Sequence, residues 1–168
     1  MPFLALLQTG CLIVLAGLLV AAAWQDLRTL HIGNSLPLAI AALFVISSIL
    51  GLVARTSTPE AIALSVGCAV VLFLVAAAAF AAGMLGGGDV KLAAAVVLFA
   101  GPSLIVDFLL IVGVVGGVLG VIVLAGVPIG PVAGASGATM RGRLHSRLPY
   151  GPAIAAGGLW VAAALALR

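Results

Sequence analysis

The fold is decided by the stretch from Gly86 to Gly126, which reads GGGDVKLAAAVVLFAGPSLIVDFLLIVGVVGGVLGVIVLAG. After Asp89 it holds only two further charged residues. As one straight helix, residues 90–126 extend about 55 Å at 1.5 Å per residue, whereas the hydrocarbon core of a bilayer is about 30 Å thick. Gly101 and Pro102 stand where a break would divide the stretch, because proline disrupts a helix interior. The sequence therefore predicts two short membrane spans here.

The composition of the chain excludes an ordinary soluble domain. Of the 168 residues, 65% are hydrophobic and 7% are charged, whereas about a quarter of the residues in soluble domains are charged. The mean hydropathy is +1.44. Gly113 and Gly117, and again Gly116 and Gly120, have the small-xxx-small spacing of closely packed membrane helices. The chain is predicted to be an integral membrane protein.

Four further apolar segments have the length of about 20 residues that crosses a bilayer. They are Phe3–Ala23, Leu36–Ala54, Ala61–Ala82 and Pro149–Leu167. With the two short spans they predict an all-α, polytopic membrane protein of about six transmembrane helices, in a single domain over residues 1–168. The connection from Pro128 to Leu148 is rich in Gly, Ser and Arg and has no apolar period, so we expect a polar loop and no soluble insert.

The basic residues predict the orientation in the membrane. With six spans, one face carries most of the positive charge, on Arg28, Lys91, Arg141, Arg143 and Arg147, and the other carries Arg55 and Arg168. Because cytoplasmic loops are enriched in Lys and Arg, the first face is predicted to be cytoplasmic. The net charge of +3 follows from this topology, and the sequence lacks the basic and aromatic pattern of a nucleic-acid binder. We expect the lipid bilayer, and no nucleic acid, as a partner.

Acidic residues are scarce, and two of them stand at the ends of predicted spans. The chain holds four, Asp26, Glu60, Asp89 and Asp107. In the six-span topology Asp26 and Asp89 both lie at cytoplasmic helix ends. One carboxylate can take a proton from a water as general base, while the other, protonated, donates a hydrogen bond to a scissile carbonyl. Such a pair shares one proton, because two like charges at close range cannot both ionise cheaply. The sequence suggests a paired acid site.

Each aspartate also has a structural interpretation. Asp89 can N-cap the helix that follows it, where Asp is favoured and an anion suits the helix dipole. Asp26 can mark the end of a span and pair with Arg28. The chain is then a non-enzymatic membrane assembly subunit whose Gly and Ala surfaces bind partner helices. A third interpretation is a small proton-coupled transporter that uses the same acids as a relay.

Three motif blocks occur along the chain in a fixed order. They are Asp26-Leu27-Arg28 with Ile32-Gly33-Asn34, then Gly86-Gly87-Gly88-Asp89-Val90-Lys91-Leu92, then Leu148-Pro149-Tyr150-Gly151-Pro152-Ala153-Ile154. Together they resemble the prepilin peptidases, the type IV leader peptidases of the GxGD aspartic class. The resemblance implies a polytopic helical fold in the bacterial inner membrane, and cleavage of a short basic leader from pilin-type precursor proteins on the cytoplasmic side. It makes Asp26 and Asp89 the catalytic pair, and implies no cofactor and no metal.

The chain departs from that family in two places. The family more often has Pro where this chain has Gly33, which concerns the geometry of one loop. Bifunctional members also carry a cysteine-bearing cytoplasmic insert and methylate the new N-terminus. The two cysteines of this chain, Cys11 and Cys68, fall within predicted spans instead. The chain therefore resembles the short, peptidase-only members that serve tight-adherence (Flp-type) pili, and no methyltransferase activity is expected.

Other residues near the aspartates are candidates for binding substrate or positioning loops: Gly86, Gly87, Gly88, Asn34, Lys91 and Tyr150. The glycines permit backbone conformations closed to other residues, and a close approach of a substrate strand. Asn34 and Tyr150 can bind substrate backbone or make ordinary loop hydrogen bonds. Lys91 follows Asp89 by two positions, so it is expected to point from a different helix face towards lipid head groups.

Overall fold

The computed structural model describes residues 2–125 and 150–167, and its regular structure over these residues is entirely helical. The five helices are α1 (Pro2–Thr29), α2 (Ser35–Ala54), α3 (Pro59–Ala81), α4 (Gly87–Leu124) and α5 (Gly151–Ala166). The first four are long and apolar enough to cross a membrane, and α5 is a shorter apolar helix. The predicted all-α class is confirmed, and so is the polytopic membrane character.

Helix α4 is divided at Gly101, where the backbone leaves the helical region at φ 55° and ψ −168°. The residues on either side of this point form two arms. A Cβ atom added at Gly158 of α5 lies 3.1 Å from Val96 of the first arm, and one added at the neighbouring Gly157 lies 2.9 Å from Val112 of the second. A straight helix separates Val96 from Val112 by roughly 24 Å. The two arms therefore lie side by side, and the break predicted at this point is confirmed.

The number of complete membrane crossings is about six, because some of the helical segments are shorter than the bilayer is thick. The first arm of α4, residues 87–100, extends roughly 21 Å at 1.5 Å per residue, which is less than the hydrocarbon thickness of about 30 Å. The second arm, residues 102–124, extends roughly 34 Å. Counting both arms, the described chain has six helical segments, of which the first arm of α4 and α5 are the short ones.

Helix α1 continues beyond the predicted end at Ala23, to Thr29. The prediction followed hydropathy, which falls at Gln25 and Asp26, but Gln, Leu and Arg are good helix formers and no Pro or Gly interrupts the helix before Gly33. As a result Asp26 lies in the last turn of α1 rather than after it. The other predicted ends within the described residues differ by at most three positions.

The core is built around α5, which packs against both α1 and α4. The α5 residues that are buried are small, apart from Ile154 and Val161: they are Gly151, Ala153, Ala155, Gly157, Gly158 and Ala162. Their size lets the neighbouring helices come close, which is how membrane helices gain packing energy. Leu15 and Leu19 of α1 and Phe108 of α4 fill the space beside them and are fully buried.

Part of the predicted cytoplasmic charge lies outside the described residues. Arg141, Arg143 and Arg147 belong to the predicted polar loop from Pro128 to Leu148. Of the basic residues that predict the orientation in the membrane, the structure therefore gives the positions of only some.

Replacing Gly101 by Ala is expected to lower the free energy of unfolding by about 1–3 kcal/mol, because the backbone conformation at this position is essentially restricted to glycine. The added Cβ would also lie 2.7 Å from Ser65 Oγ. Denaturant unfolding of the purified protein in detergent measures the effect. Gly113→Ala is the matched control on the same helix, because a Cβ there has no neighbour within 4 Å. Equal stability of the two variants would contradict the fold-back at Gly101.

Candidate active site

Asp26 points into the protein from the last turn of α1. Its side chain is 4% exposed, and its Oδ2 accepts a hydrogen bond of 2.8 Å from the backbone N–H of Gly151. The first N–H groups of a helix have no partner within the helix and favour a nearby anion. Tyr150, the N-cap of α5, makes no side-chain cap hydrogen bond. A carboxylate on another helix, Asp26 of α1, therefore accepts a hydrogen bond from the start of α5.

The contact between Asp26 and Gly151 requires a residue without a side chain. A Cβ atom added at Gly151 would lie 2.6 Å from Asp26 Cβ and 2.7 Å from Asp26 Oδ2, distances that real Cβ atoms essentially never show. Only glycine lets the backbone of α5 come close enough for the hydrogen bond. Gly151 is thus a positioning residue for Asp26.

Asp89 lies in the first turn of α4 and is 9% exposed. Its Oδ2 accepts a hydrogen bond of 3.2 Å from the backbone N–H of Gly86, which is the N-cap residue. The interpretation of Asp89 as the N-cap is therefore wrong in position: it is the third residue of the helix, and its side chain reaches back to the cap. Asp89 therefore contributes to the helix start from within the first turn.

Two contacts join the segment after α1 to the start of α4. A Cβ atom added at Gly88 would lie 2.8 Å from the carbonyl oxygen of Ile32, so the two backbones approach closely there. Lys91 Nζ donates a hydrogen bond of 2.8 Å to Asn34 Oδ1. These contacts hold the α1–α2 connection against the residues that flank Asp89. The role of Asn34 and Lys91 in positioning loops or binding substrate stays a prediction.

The structure brings the two aspartates together. The segment that follows Asp26 contacts the helix start that holds Asp89, at Gly88 and through the hydrogen bond from Lys91. The two carboxylates are therefore close enough for the charge of one to act on the other. Both carboxylates are buried, and each accepts a backbone N–H at a helix start. A buried charge is costly unless it is hydrogen-bonded, and two adjacent carboxylates are most stable when they share one proton. The catalytic role of the pair stays a prediction.

The predicted role of Gly86, Gly87 and Gly88 in unusual backbone conformations is wrong. Gly86 has φ −79° and ψ 143°, which any residue adopts, and Gly87 and Gly88 are helical. Among the described glycines, only Gly83 and Gly101 have positive φ. What the structure requires at Gly88 is small size, for the contact with Ile32. The close approach of a substrate strand remains a prediction.

Arg28 does not serve as the partner of Asp26. Its guanidinium lies over the ring of Trp24, 4.4 Å from the ring centroid, while the Asp26 carboxylate faces inward to Gly151. A cation over an indole face is a favourable arrangement for an arginine at a membrane surface. The interpretation of Asp26 as an interfacial charge paired with Arg28 is therefore wrong.

A cavity of about 480 Å³ opens beside Asp89. It lies between α3, both arms of α4 and the start of α5, and Asp89 and Tyr150 are its polar lining residues. The apolar lining consists of Leu72, Ala76, Leu85, Val90, Ala93, Phe108, Leu109, Val112, Gly113, Gly116, Gly117, Gly120 and Ile154. This volume is in the range of ligand-binding cavities. The candidate site is thus a mostly apolar cavity with an acidic group in its wall.

Tyr150 borders this cavity and is half-buried. A Cβ atom added at Gly116 would lie 3.4 Å from Tyr150 Cε1, so the ring contacts the second arm of α4. Tyr150 is followed directly by Gly151, the partner of Asp26. The start of α5 therefore reaches both the Asp26 carboxylate and the cavity that holds Asp89.

Sequence reasoning missed the contacts that assemble the site. The hydrogen bond from Gly151 to Asp26 and the contact of Gly88 with Ile32 join residues far apart in the chain. The Gly151-Pro152 pair gave one signal, because proline at a first helical position marks a helix start with free N–H groups. No signal identified which side chain would accept those N–H groups.

No group of three or more His, Cys, Asp or Glu side chains lies together in the part of the chain that the structure describes. Cys11 is buried, Cys68 is half-buried, and both are free thiols. A carboxylate pair can activate a water and protonate or polarise a carbonyl group.

Comparison with known proteins gives one family. The sequence profile of the type IV leader peptidase family matches residues 13–121 of the 168. The matched region contains both Asp26 and Asp89, and it ends before α5, which supplies Gly151 and Tyr150. No characterised protein sequence and no solved structure gives a significant match.

Replacing Gly151 by Ala is expected to lower the free energy of unfolding by about 1–3 kcal/mol, because the new methyl group overpacks against Asp26 and breaks its hydrogen bond. Denaturant unfolding in detergent measures this change. Gly17→Ala is the matched control on α1, since a Cβ at Gly17 meets no atom within 4 Å. If both variants unfold like the wild type, α5 does not pack against Asp26 as described.

Proposed function

The chain belongs to the type IV leader peptidase family, and we propose that Asp26 and Asp89 are the catalytic residues with which it removes the leader of a prepilin. The family makes it a multi-pass membrane peptidase. The observation that supports the two-aspartate mechanism is the arrangement of the acids: both are buried and within electrostatic range of each other, and Asp89 lines a cavity.

The proposed reaction is the hydrolysis of one peptide bond by water. One carboxylate of the pair, ionised, accepts a proton from the water as the water oxygen attacks the carbonyl carbon. The other, protonated, donates a hydrogen bond to the carbonyl oxygen and supports the negative charge that develops there. The C–N bond then breaks, the amine leaves with a proton from the pair, and the pair again holds one proton. The hydrogen bonds from Gly151 and Gly86 hold the two carboxylates in place meanwhile.

The proposed substrate is a pilin-type precursor whose apolar helix lies in the membrane. An apolar cavity with an acidic wall fits a substrate in which the cut separates an apolar helix from a short basic leader. The leader's cations and the two aspartates have complementary charge. The sequence has no cysteine-bearing insert between its predicted spans, which supports an Flp-type prepilin as substrate and cleavage without methylation.

The proposed location is the bacterial inner membrane with the site at the cytoplasmic face. Arg28 and Lys91 lie at the same helix ends as the two aspartates, and Arg55 lies at the far end of α2. Cytoplasmic membrane faces are enriched in basic residues. Cleavage at that face also places the product's new N-terminus on the side where the leader was made.

Replacing Asp26 or Asp89 by Asn is expected to reduce cleavage at least about a hundredfold, because general acid–base catalysis contributes roughly 10²–10⁴ in rate and an amide cannot supply it. The amide oxygen can still accept the hydrogen bond from Gly151 or Gly86, so the fold is expected to survive. Co-expression with an Flp-type prepilin measures the loss, through the change in electrophoretic mobility when the leader is removed.

The matched control for these variants is Asp107→Asn. Asp107 is an exposed aspartate on the second arm of α4 and is not one of the residues that line the cavity, so its variant is expected to cleave like the wild type. Membrane accumulation and melting temperature of all three variants are compared with those of the wild type. Continued cleavage by both Asp26→Asn and Asp89→Asn would show that the acids have only a structural role at helix starts, where Asn is tolerated. This result would refute the two-aspartate mechanism.

A further inference from the structure

The second arm of α4 carries glycines that pack against none of the residues that the structure describes. A Cβ atom added at Gly113, Gly117 or Gly120 meets no atom within 4 Å. Gly113 and Gly117 are exposed. Gly116, which lies between them, is instead covered by the Tyr150 ring. The uncovered residues follow one another at steps of four and three, so they form one face of the helix, called here the glycine face.

The glycine face has no function in the packing of the described chain. Glycine is among the least favourable residues in a helix interior, and membrane helices carry it where another backbone must approach closely. Lipid chains need no such surface, because they pack against leucine or valine equally well. A helix face of three glycines with no neighbour among the described residues therefore points to a further helix that packs there.

The glycine face and Asp89 belong to the same cavity. Apart from Asp89 and Tyr150, the residues that line it are apolar or glycine. The cavity holds about 480 Å³, whereas a helix about 10 Å across fills roughly 800 Å³ over the 10 Å that the glycine face extends. The space therefore admits one face of a helix whose other side stays in the lipid.

We propose that the glycine face of α4 is the docking surface for the apolar transmembrane helix of the peptidase's precursor substrate. This proposal rests on the proposed function and adds the surface that selects the substrate. Side chains of the substrate helix enter the space above Gly113, Gly117 and Gly120. The peptide bond beyond the end of that helix then lies at Asp89, in the wall of the same cavity. Recognition depends on the shape of the helix, and cleavage depends on the acids.

The test measures binding, so that it does not depend on cleavage. The probe is a fluorescently labelled peptide with the apolar helix of an Flp-type precursor and without its leader, titrated against the full-length protein in nanodiscs. Gly117→Leu fills the space above the glycine face and is expected to raise the Kd at least tenfold. The matched control is Gly67→Leu on α3, since Gly67 is exposed, has no neighbour within 4 Å of an added Cβ and does not line the cavity. It is expected to leave the Kd within twofold of the wild type.

The outcomes separate this proposal from the proposed function. An unchanged Kd for Gly117→Leu, or an equal rise for Gly67→Leu, overturns the docking surface even if the wild type cleaves its precursor. A selective rise for Gly117→Leu supports the docking surface even if Asp26→Asn and Asp89→Asn show that the chemistry was misassigned. Gly117→Ala adds only a Cβ that contacts no described atom, so it is expected to raise the Kd by less than Gly117→Leu does. It replaces Gly117→Leu in the test if the leucine variant does not accumulate in the membrane. Loss of a dimer on gel filtration, with no change in Kd, would show a second copy of the chain on this face and overturn the proposal.

Discussion

The hydrogen bond from the Gly151 N–H to the Asp26 carboxylate is the interaction on which the rest of the site depends. It joins the end of α1 to the start of α5 over 125 positions of sequence, and it is buried. Both groups are buried, so each would be costly without a hydrogen-bond partner. The bond satisfies both, and it exists only because residue 151 has no side chain. Once α5 is held there, Tyr150 reaches the cavity.

The reversal of α4 at Gly101 provides the second half of the site. A continuous helix would carry residues 102–124 away from Asp89 and out of the bilayer. Because the chain folds back, both arms border one cavity, and a single helix contributes an acid on one side and the glycine face on the other. The fold-back is possible because Gly101 adopts a conformation closed to other residues, while the small residues of α5 let both arms pack close to it.

The structural and chemical interpretations of the aspartates are compatible with each other. Asp26 and Asp89 each accept a backbone N–H at the start of a helix, so each helps to fix the end of a helix. The same hydrogen bonds hold the carboxylates at a set position and orientation before any substrate arrives. Pre-organised acids are what general acid–base and electrostatic catalysis require. The two aspartates therefore belong to the framework that places them and, in the proposed mechanism, also to the reaction.

The sequence by itself determined the membrane class, the helical segments, the break near Gly101 and the two aspartates. These follow from local properties, since a membrane span requires an apolar segment of about 20 residues and a charge within it is energetically costly. The end of α1 was predicted too early because the prediction followed hydropathy, which indicates where a membrane span ends. The helix itself continues for as long as its residues favour helix formation. Only the tertiary structure decided that Gly151 donates a hydrogen bond to Asp26, that Ile32 contacts Gly88 and that no described residue covers the glycine face. Such contacts join distant parts of the chain, and their geometry depends on how whole helices pack, which no local pattern in the sequence encodes.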